Sequence, residues 1–320
     1  RPWGVGGTRM SERFLLIGHP VAHSLSPAIH GAAYEALGRA GRYELVDAPD
    51  EAAVAALVER LRSGDIQGAN VTVPWKRLAL SLADRVDESA RDVGAANVLA
   101  RAPDGAVVAY NTDAPGLARE LAELVDELGG WGKASGACVL GNGGAALGAV
   151  VACRLAGAKR ILVTARAFRA TEDPLSWSRA AALRRLGAEL LPWPEPREGG
   201  GQGVQLAPEQ LDGIQLVVQA TSAGMHGADP GEGIGHLVPW TQVPRLAAYD
   251  LVYNPEQTPF LRRAVEAGHL ARGGLGMLVR QAALAIEIWW GTLPPLPPLR
   301  RAAAHALAAR AAKEPGDAGR

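Results

Sequence analysis

Short apolar runs alternate along the chain with longer amphipathic stretches, a pattern that predicts alternating strands and helices. Residues 13–18 (RFLLIG) form one apolar run that ends at a glycine, and residues 214–219 (IQLVVQ) form another. Both runs have the length of a buried strand. Residues 51–62 instead repeat apolar side chains at the three- and four-residue spacing of one helix face. The pattern therefore predicts an α/β protein.

The most informative stretch is a glycine-rich turn that follows the apolar residues 137–140 and precedes a small-residue helical pattern. Strand, glycine turn and helix in this order are typical of dinucleotide binding. Gly141 permits a tight turn, Gly143 lets the backbone approach a pyrophosphate, and Ala146 lets helix and strand pack closely. The phosphates would bind free N–H groups at the start of the helix. The alternative is an ordinary flexible turn, which the flanking strand and helix disfavour.

The end of the next predicted strand, residues 160–164 (RILVT), indicates which dinucleotide binds. An NAD site usually carries an acid there for the ribose 2′-hydroxyl. The chain has Arg166 and Arg169 instead, and an arginine can pair with a 2′-phosphate through two hydrogen bonds. NADP is therefore the predicted cofactor. A solvent-facing basic turn is the structural alternative, and the acids Glu172 and Asp173 lie nearby.

Composition limits the classes of partner and compartment. The 320 residues suffice for two domains, 48% are hydrophobic, and the formal net charge is zero. Nothing in this balance favours nucleic acid or an anionic membrane. Cys138 and Cys153 lie in apolar segments, as small core residues do in a reducing compartment. No metal-binding motif, membrane-length apolar run or signal peptide is found, so we expect a cytoplasmic protein without a metal.

Polar side chains occur where the predicted N-terminal strands end. Ser24 and Ser26 follow the first strand, and Lys76 follows a β-branched strand at residues 70–73. Ligands of α/β proteins bind at such strand ends, and two hydroxyls can hold a small polyol or carboxylate. Structural roles compete, because Ser26 can cap the next helix and Lys76 can be a solvated surface charge.

A predicted hairpin lies between two further polar candidates. Asp104-Gly105 indicates a turn that joins two short strands. Asn97 precedes this hairpin, and Asp113 follows it at the start of a long helix. Their structural alternatives are a turn hydrogen bond for Asn97 and a helix cap for Asp113.

Several motifs between about residues 14 and 290 resemble, together and in the same order, those of the shikimate dehydrogenase family. Each motif alone is weak, but their joint occurrence is specific. The motifs are 17–20 (IGHP) with 23–27 (HSLSP), 70–74 (NVTVP) with Lys76, 94–97 (GAAN), 110–113 (YNTD), the turn at Gly141, 220–225 (ATSAGM), 250–255 (DLVYNP) and 274–282 (GLGMLVRQA).

The resemblance implies NADPH-dependent, reversible reduction of 3-dehydroshikimate to shikimate in aromatic amino-acid biosynthesis. It implies that Lys76, paired with Asp113, acts as the acid and base. The residues that it implies for substrate binding are Ser24, Ser26, Thr72, Asn97, Asp113, Tyr253 and Gln281. The residues expected at the NADP(H) site are Gly141, Asn142, Gly143, Gly144, Ala145, Arg166, Arg169, Thr221, Leu251 and Gly274.

The resemblance also implies two α/β domains. Residues 11–112 and 274–312 are expected to form the substrate domain, to which the C-terminal helices return. Residues 113–273 are expected to form a Rossmann-like NADP-binding domain, and residues 1–10 and 313–320 to be extensions or disordered. The expected partner is the small-molecule substrate, and the protein is expected to be a monomer or homodimer.

One departure from the family pattern keeps alternatives open. The family's usual Asn-Arg-Thr after the second strand of the nucleotide unit is here Ala165-Arg166-Ala167, so relaxed cofactor use remains an alternative. A quinate/shikimate dehydrogenase that uses NAD is a second reading, and aminoshikimate chemistry is a further variant. A non-catalytic sensor of the same fold is the reading from another class. That sensor would be expected to lack Lys76 or Asp113, which are both present.

Overall fold

The computed structural model describes residues 12–169, 173, 175, 177, 179–195 and 204–312. The expectations for residues 1–10 and 313–320 and for Glu172 lie outside these residues. The chain divides after Thr112 and after Gln281 into two compact units. The first unit consists of the described residues up to 112 and from 282 onward, and the second consists of residues 113–281.

The first unit is built on a mixed sheet with helices along its chain. Its strands are β1 (Glu12–Gly18), β2 (Gly41–Asp47), β3 (Gly68–Val71), β4 (Arg85–Val86), β5 (Val98–Arg101) and β6 (Val107–Tyr110). Its helices up to Thr112 are α1 (Ser26–Ala36), α2 (Glu51–Ser63), α3 (Lys76–Leu82) and α4 (Glu88–Val93). Within the described chain, the six strands are ordered β2-β1-β3-β5-β6-β4. The pairs β1–β2, β1–β3 and β4–β6 are parallel, whereas β3–β5 and β5–β6 are antiparallel.

Three local expectations are settled in this unit. The hairpin at Asp104-Gly105 is confirmed, since it joins the antiparallel strands β5 and β6. The helix cap at Ser26 is wrong, because α1 starts at Ser26 itself and its cap position is occupied by Leu25. The strand expected at residues 70–73 ends early, at Val71, because Trp75 N donates to Thr72 O (2.9 Å) and closes a turn.

The second unit is a doubly wound sheet whose strand pairs are all parallel. Its strands are β7 (Gly136–Leu140), β8 (Arg160–Arg169), β9 (Glu189–Trp193), β10 (Ile214–Gln219), β11 (Ala247–Asp250) and β12 (Leu270–Gly273). Its helices are α5 (Asp113–Glu127), α6 (Gly144–Leu155), α7 (Ala180–Arg185), α8 (Glu232–Leu237), α9 (Pro259–Glu266) and α10 (Leu275–Trp290). In the described residues, the strand order is β12-β11-β10-β7-β8-β9.

Each face of this second sheet carries its own hydrophobic core. Successive residues of a strand point to opposite faces. Val139 accordingly belongs to one cluster with Leu121 of α5, and Leu140 belongs to the other with Phe260 of α9. The predicted strands that enclose the nucleotide turn are therefore buried on both sides, as parallel strands require.

Helix α10 continues past Gln281 and carries the chain back into the first unit, where α11 (Leu296–Ala311) follows. In the first unit, the Trp289 ring stacks on Phe14 of β1 (centroids 4.6 Å apart), and Trp289 Nε1 donates to Leu99 O (3.1 Å). α11 packs against α1 and buries Leu299, Ala303 and Leu307. Apolar contacts therefore connect the end of the chain to its first strand and helix.

Among the described helices, none combines the length and the hydrophobicity that a membrane crossing needs.

Candidate active site

The loop between β1 and α1 places two serine hydroxyls side by side. Ser24 Oγ donates to Ser26 Oγ (3.1 Å), and Ser26 N donates to Ser24 Oγ (3.1 Å). Ser26 is buried, and Ser24 is half-buried. Ser26 does not cap α1, because Ile29 N donates to Leu25 O (3.3 Å) and the helix therefore starts at Ser26 itself. The pair presents its oxygens as a preformed acceptor and donor set for a small polar ligand.

Backbone hydrogen bonds bring the next three expected residues to the same part of the first unit. Thr72 directly follows β3, and its N–H donates to Ile17 O of β1 (2.8 Å). Lys76 is the first residue of α3, and its carbonyl accepts from Ala96 N (2.9 Å), next to Asn97. The ends of β1 and β3 and the start of α3 therefore position Thr72, Lys76 and Asn97 close to one another.

Asn97 has the structural role that the sequence left open. Its Nδ2 donates to Thr112 Oγ1 (3.0 Å), and its Oδ1 accepts from Thr112 N (2.7 Å). Asn97 and Thr112 are both buried. Since Thr112 immediately precedes Asp113, this amide fixes the backbone from which Asp113 starts. A role of Asn97 in binding substrate remains a prediction.

Asn70 and Tyr43 were not among the expected site residues, although they connect them. Tyr43 OH donates to Asn70 Oδ1 (2.7 Å), and Asn70 Nδ2 donates to Asn97 O (3.3 Å). Burial raises the pKa of Tyr43 well above its ordinary range, which a hydrogen bond from Ser26 partly opposes. A polar Asn70 inside an apolar strand was the available signal. The sequence offered no signal that Tyr43, 27 residues away, is its partner.

His30 packs against the Tyr43 ring of this cluster. Its ring stacks on Tyr43 (centroids 3.9 Å apart), and the residue has no exposed surface. Burial lowers the pKa of His30 to about 3, partly offset by Asn70. The imidazole is therefore neutral at neutral pH, and its uncharged ring packs against Tyr43.

The glycine turn of the second unit confirms the predicted strand, turn and helix. β7 ends at Leu140, and Gly141 has φ +127°, a conformation that L side chains rarely adopt. A Cβ on Gly141 would also lie 3.0 Å from Ala220 O and from Thr221 Cγ2. α6 then begins at Gly144, with Gly143 at its cap position and no side-chain cap. Its first N–H groups are thus available in the geometry that binds phosphate.

The expected arginines lie on β8, which extends to Arg169 and is longer than the predicted strand at 160–164. The extension follows a register shift against β9 between Thr164 and Arg169. Arg166 is 72% exposed, and its Nη1 lies 3.3 Å from Asp229 Oδ2. Both expected arginines therefore lie beyond the regular part of the strand.

Arg179 is a further cation that the sequence reading missed. It has a left-handed backbone (φ +60°), uncommon for a residue with a side chain. Its Nη1 lies 4.0 Å from where a Cβ on Gly144 would be, so its guanidinium lies over the start of α6. Such a strained conformation occurs often at ligand sites. No signal in the sequence marks Arg179, because it follows a stretch with no regular pattern.

Three other expected cofactor residues lie just after the carboxyl ends of strands in this sheet. Leu251 N donates to Gln219 O (3.0 Å), and a Cβ on Gly274 would collide with Leu251 O. Thr221 follows β10, and its Oγ1 accepts from Ala223 N (3.1 Å). The ends of four neighbouring strands are aligned, because their last residues pair with one another. These residues are Leu140, Gln219, Asp250 and Gly273. The Gly141 turn also lies at the carboxyl ends of these strands, where α/β proteins bind ligands.

Asp113 and Gln281 belong to two helices that pack closely in the second unit. Asp113 is the first residue of α5. A Cβ on Gly116, one turn later, would lie 3.1 Å from Gln281 N of α10. Gln281 is buried, and its Nε2 donates to Leu278 O (2.8 Å). Tyr253 is half-buried in the loop after β11. The roles of these three residues in binding and catalysis remain predictions.

No group of three or more metal-binding side chains occurs among the residues that the structure describes. Asp250, the buried acid of the family-like motif at 250–255, is instead held by protein donors. Thr258 Oγ1 (2.6 Å) and Val252 N (2.9 Å) donate to its carboxylate.

The doubly wound sheet, its glycine turn and the basic strand end define a dinucleotide-dependent α/β enzyme. Family models match in two places: the shikimate dehydrogenase substrate binding domain at residues 16–99, and the shikimate 5′-dehydrogenase C-terminal domain at 274–304. The chain is 38% identical to the shikimate dehydrogenase (NADP(+)) of Methylobacterium radiotolerans, over 90% of this chain and 94% of that protein. The chain therefore belongs to the shikimate dehydrogenase family, as its motifs indicated.

Solved structures agree with this assignment. Shikimate 5-dehydrogenase of Thermus thermophilus, in complex with NADP(H) and shikimate, matches with a TM-score of 0.71 and 35% identity. The match covers 92% of this chain and 99% of that one. Shikimate 5-dehydrogenase of Listeria monocytogenes, in complex with shikimate and NAD, matches with a TM-score of 0.74 and 27% identity, over 92% and 96% of the two chains.

Proposed function

We propose that this protein catalyses the reversible, NADPH-dependent reduction of 3-dehydroshikimate to shikimate, a step of chorismate and aromatic amino-acid biosynthesis. The observation that carries the proposal is the nearly full-length match to the Thermus thermophilus enzyme with bound NADP(H) and shikimate. The chain also has every residue type that the reaction requires, including Lys76 and Asp113.

The proposed chemistry assigns proton transfer to Lys76. NADPH, when bound, supplies the hydride that reduces the ketone carbon. Negative charge then develops on the ketone oxygen, and the Lys76 ammonium stabilises this charge and delivers the proton that completes the hydroxyl. Asp113 orients Lys76 through its opposite charge. In the oxidation direction, the same lysine accepts the proton from the hydroxyl.

The substrate is held by neutral polar groups in this proposal. The adjacent Ser24 and Ser26 hydroxyls bind the carboxylate, and Thr72 and Asn97 bind ring hydroxyls together with Tyr253 and Gln281. Side-chain hydroxyls and amides suit a polyol ring, because each can donate and accept. A wrong substrate would leave a buried donor unpaired, at a cost of about 1–3 kcal/mol.

The cofactor site is proposed at the carboxyl ends of the strands of the second sheet. The backbone of residues 141–145 binds the pyrophosphate, and Thr221, Leu251 and Gly274 line the remainder. Arg166 and Arg169 bind the 2′-phosphate. Arg179 assists them in binding the cofactor's phosphates, a role that its position over the start of α6 supports. Guanidinium groups suit a phosphate because they donate two parallel hydrogen bonds.

A matched rate assay tests the whole proposal. Purified protein is given shikimate or quinate, each with NADP⁺ or NAD⁺. We expect the highest kcat/KM with shikimate and NADP⁺, and a fall in kcat of about 10²–10⁴-fold in Lys76→Ala. Lys133→Ala, which removes an exposed lysine of the second unit, is the matched control and should retain full activity.

Other outcomes would redirect the assignment. Preference for quinate or NAD⁺ would favour the quinate/shikimate dehydrogenase, a reading that Ala165 and Ala167 leave open. Tight ligand binding without turnover would favour a sensor.

The location and assembly of the enzyme are part of the proposal. The free, buried cysteines Cys138 and Cys153 support a reducing compartment such as the cytoplasm. Either a monomer or a homodimer fits this reading.

A further inference from the structure

An acid faces the arginine that is expected to select NADP. Asp229 lies on the loop after β10, and its Oδ2 is 3.3 Å from Arg166 Nη1. The strand before this loop, β10, and the strand that carries Arg166, β8, are the two neighbours of β7. The ion pair therefore spans the strand that leads into the glycine turn, where the adenosine half of a dinucleotide binds in this type of sheet.

The carboxylate of Asp229 is fixed by its own loop. Gly231 N donates to Asp229 Oδ1 (2.9 Å), and Gly224 N donates to Asp229 O (2.7 Å). The loop is closed tightly, since a Cβ on Gly231 would lie 2.7 Å from Gly224 N. Asp229 consequently keeps its position without a ligand, whereas Arg166 reaches it with a long, exposed side chain.

This ion pair matters more for the ligand than for the fold. Both side chains are substantially exposed, and ion pairs between exposed side chains contribute little to stability. A bound 2′-phosphate would compete with Asp229 for Arg166 and would be repelled by the carboxylate. A 2′-hydroxyl would not be repelled, and it can donate a hydrogen bond to a carboxylate.

We propose that Asp229 is a specificity-determining residue, which weakens the preference of this enzyme for NADP over NAD by holding Arg166 and by repelling the 2′-phosphate. The inference rests on the proposed function, because it takes Arg166 as the ligand of the 2′-phosphate. It extends that function by naming a residue that disfavours the phosphorylated cofactor.

The test is the ratio of the dissociation constants for NAD⁺ and NADP⁺, measured by calorimetry without substrate. Asp229→Asn keeps an acceptor for Gly231 N and removes the charge. We expect the variant to bind NADP⁺ more tightly and to raise the ratio about five- to twentyfold, the effect of one nearby charge at a partly exposed site. Asp212→Asn removes an exposed charge just before β10, at the opposite end of that strand, and should leave the ratio unchanged.

A second background separates the hold on Arg166 from the direct repulsion of the phosphate. In Arg166→Met, the Asp229→Asn change should raise the ratio less, because only the repulsion between Asp229 and the 2′-phosphate is then left to remove. An unchanged ratio in Asp229→Asn alone would overturn the proposal. An equal loss of affinity for both cofactors would also overturn it, since the residue would then only shape its loop. Failure of the proposed function has a different signature, absence of shikimate turnover while both cofactors bind.

Discussion

Asp250 is a carboxyl group whose charge the fold disfavours. Burial raises its pKa from its ordinary 3.8 to about 6, and the hydrogen bonds from Thr258 and Val252 only partly oppose this shift. Between about pH 4 and 6, the folded state therefore holds a proton that the unfolded state has lost. Stability falls as the pH rises through this window, by roughly 3 kcal/mol in total.

Replacing this carboxyl with an amide should remove that pH dependence. We expect Asp250→Asn to match the wild type near pH 4 and to become the more stable protein by roughly 3 kcal/mol at pH 7. Urea unfolding at pH values from 4 to 7 measures the difference. Asp212→Asn, at an exposed position, serves as the control. Parallel stability profiles for Asp250→Asn and wild type would contradict the assigned pKa.

At this scale, sequence predicts the residues that belong to local motifs and misses those whose partners are distant. The Gly141 turn is recognisable because its requirement is backbone conformation, which glycine alone satisfies. Asn70 and Tyr43 are not, because the hydrogen bond that joins them appears only when β2 and β3 flank β1. The cap assigned to Ser26 fails for a local reason, because Ala28 N and Ile29 N donate to Leu25 O and the helix starts one residue earlier.

Helices α5 and α10 are joined by a buried ion pair. Arg280 Nε donates to Glu120 Oε1, and both side chains are almost completely buried. Arg272 approaches the same carboxylate at 3.8 Å, and Glu123 accepts from Arg280. Removing one member of such a pair leaves the buried charge of the other with only its second partner, whereas removing both members leaves neither buried charge.

We therefore expect Arg280→Met to lower the free energy of unfolding by about 3–5 kcal/mol. The double variant Glu120→Leu/Arg280→Met should lose clearly less than the sum of the two single variants. Urea unfolding of the four proteins in the cycle measures the coupling. Additive losses would mean that the two side chains stabilise the helices independently.

Replacing Gly274 and Gly148 with alanine should change the stability of the protein in opposite directions. Gly274 lies between β12 and α10, where a Cβ would collide with the backbone oxygen of Leu251. We expect Gly274→Ala to cost about 1–3 kcal/mol, since backbone cannot move aside as a side chain can. Gly148 lies inside α6, where a Cβ would contact nothing within 4 Å. Gly148→Ala should be neutral or stabilise by up to about 1 kcal/mol. Thermal unfolding distinguishes the two cases.

Element boundaries were the least predictable part of the fold. The hydrophobic pattern locates β1, β7 and β10 because each is a continuous buried run. It ends β8 at Thr164, although the strand continues to Arg169 after a register shift against β9. Such a shift depends on the neighbouring strand, and the residues beyond it, including Arg166, do not alternate regularly between apolar and polar.

The whole molecule separates its expected ligand contacts between two units with separate cores. All the expected cofactor residues lie in the second unit. The expected substrate residues are divided, with Ser24, Ser26, Thr72 and Asn97 in the first unit and Asp113, Tyr253 and Gln281 in the second. The order of motifs along the chain indicated this separation, because α/β units place ligands at the ends of their own strands. No pattern in the sequence indicated the buried pair between Arg280 and Glu120, which are 160 residues apart.

Hydrogen exchange can follow each set of contacts separately. NADP⁺ should slow amide exchange in residues 141–145 and around Arg166, and shikimate should slow it around Ser24 and Asn97, because a ligand stabilises the region that it contacts. Residues 51–63, on helix α2, provide an internal reference. Protection by NADP⁺ that is confined to the first unit would contradict the assigned cofactor site.

The stack of Trp289 on Phe14 joins a residue made early in translation to one made late. On the ribosome, β1 emerges first, but its aromatic partner follows only after residues 113–281 have been synthesised. At about 5–20 residues per second, the 275 residues from Phe14 to Trp289 take roughly 14–55 s. During that time the nascent first unit lacks Trp289 and all of α11, while the second unit is already being completed. The second unit is thus able to fold before the Phe14 side chain gains its aromatic partner, although β2 and β3 already flank β1 by then.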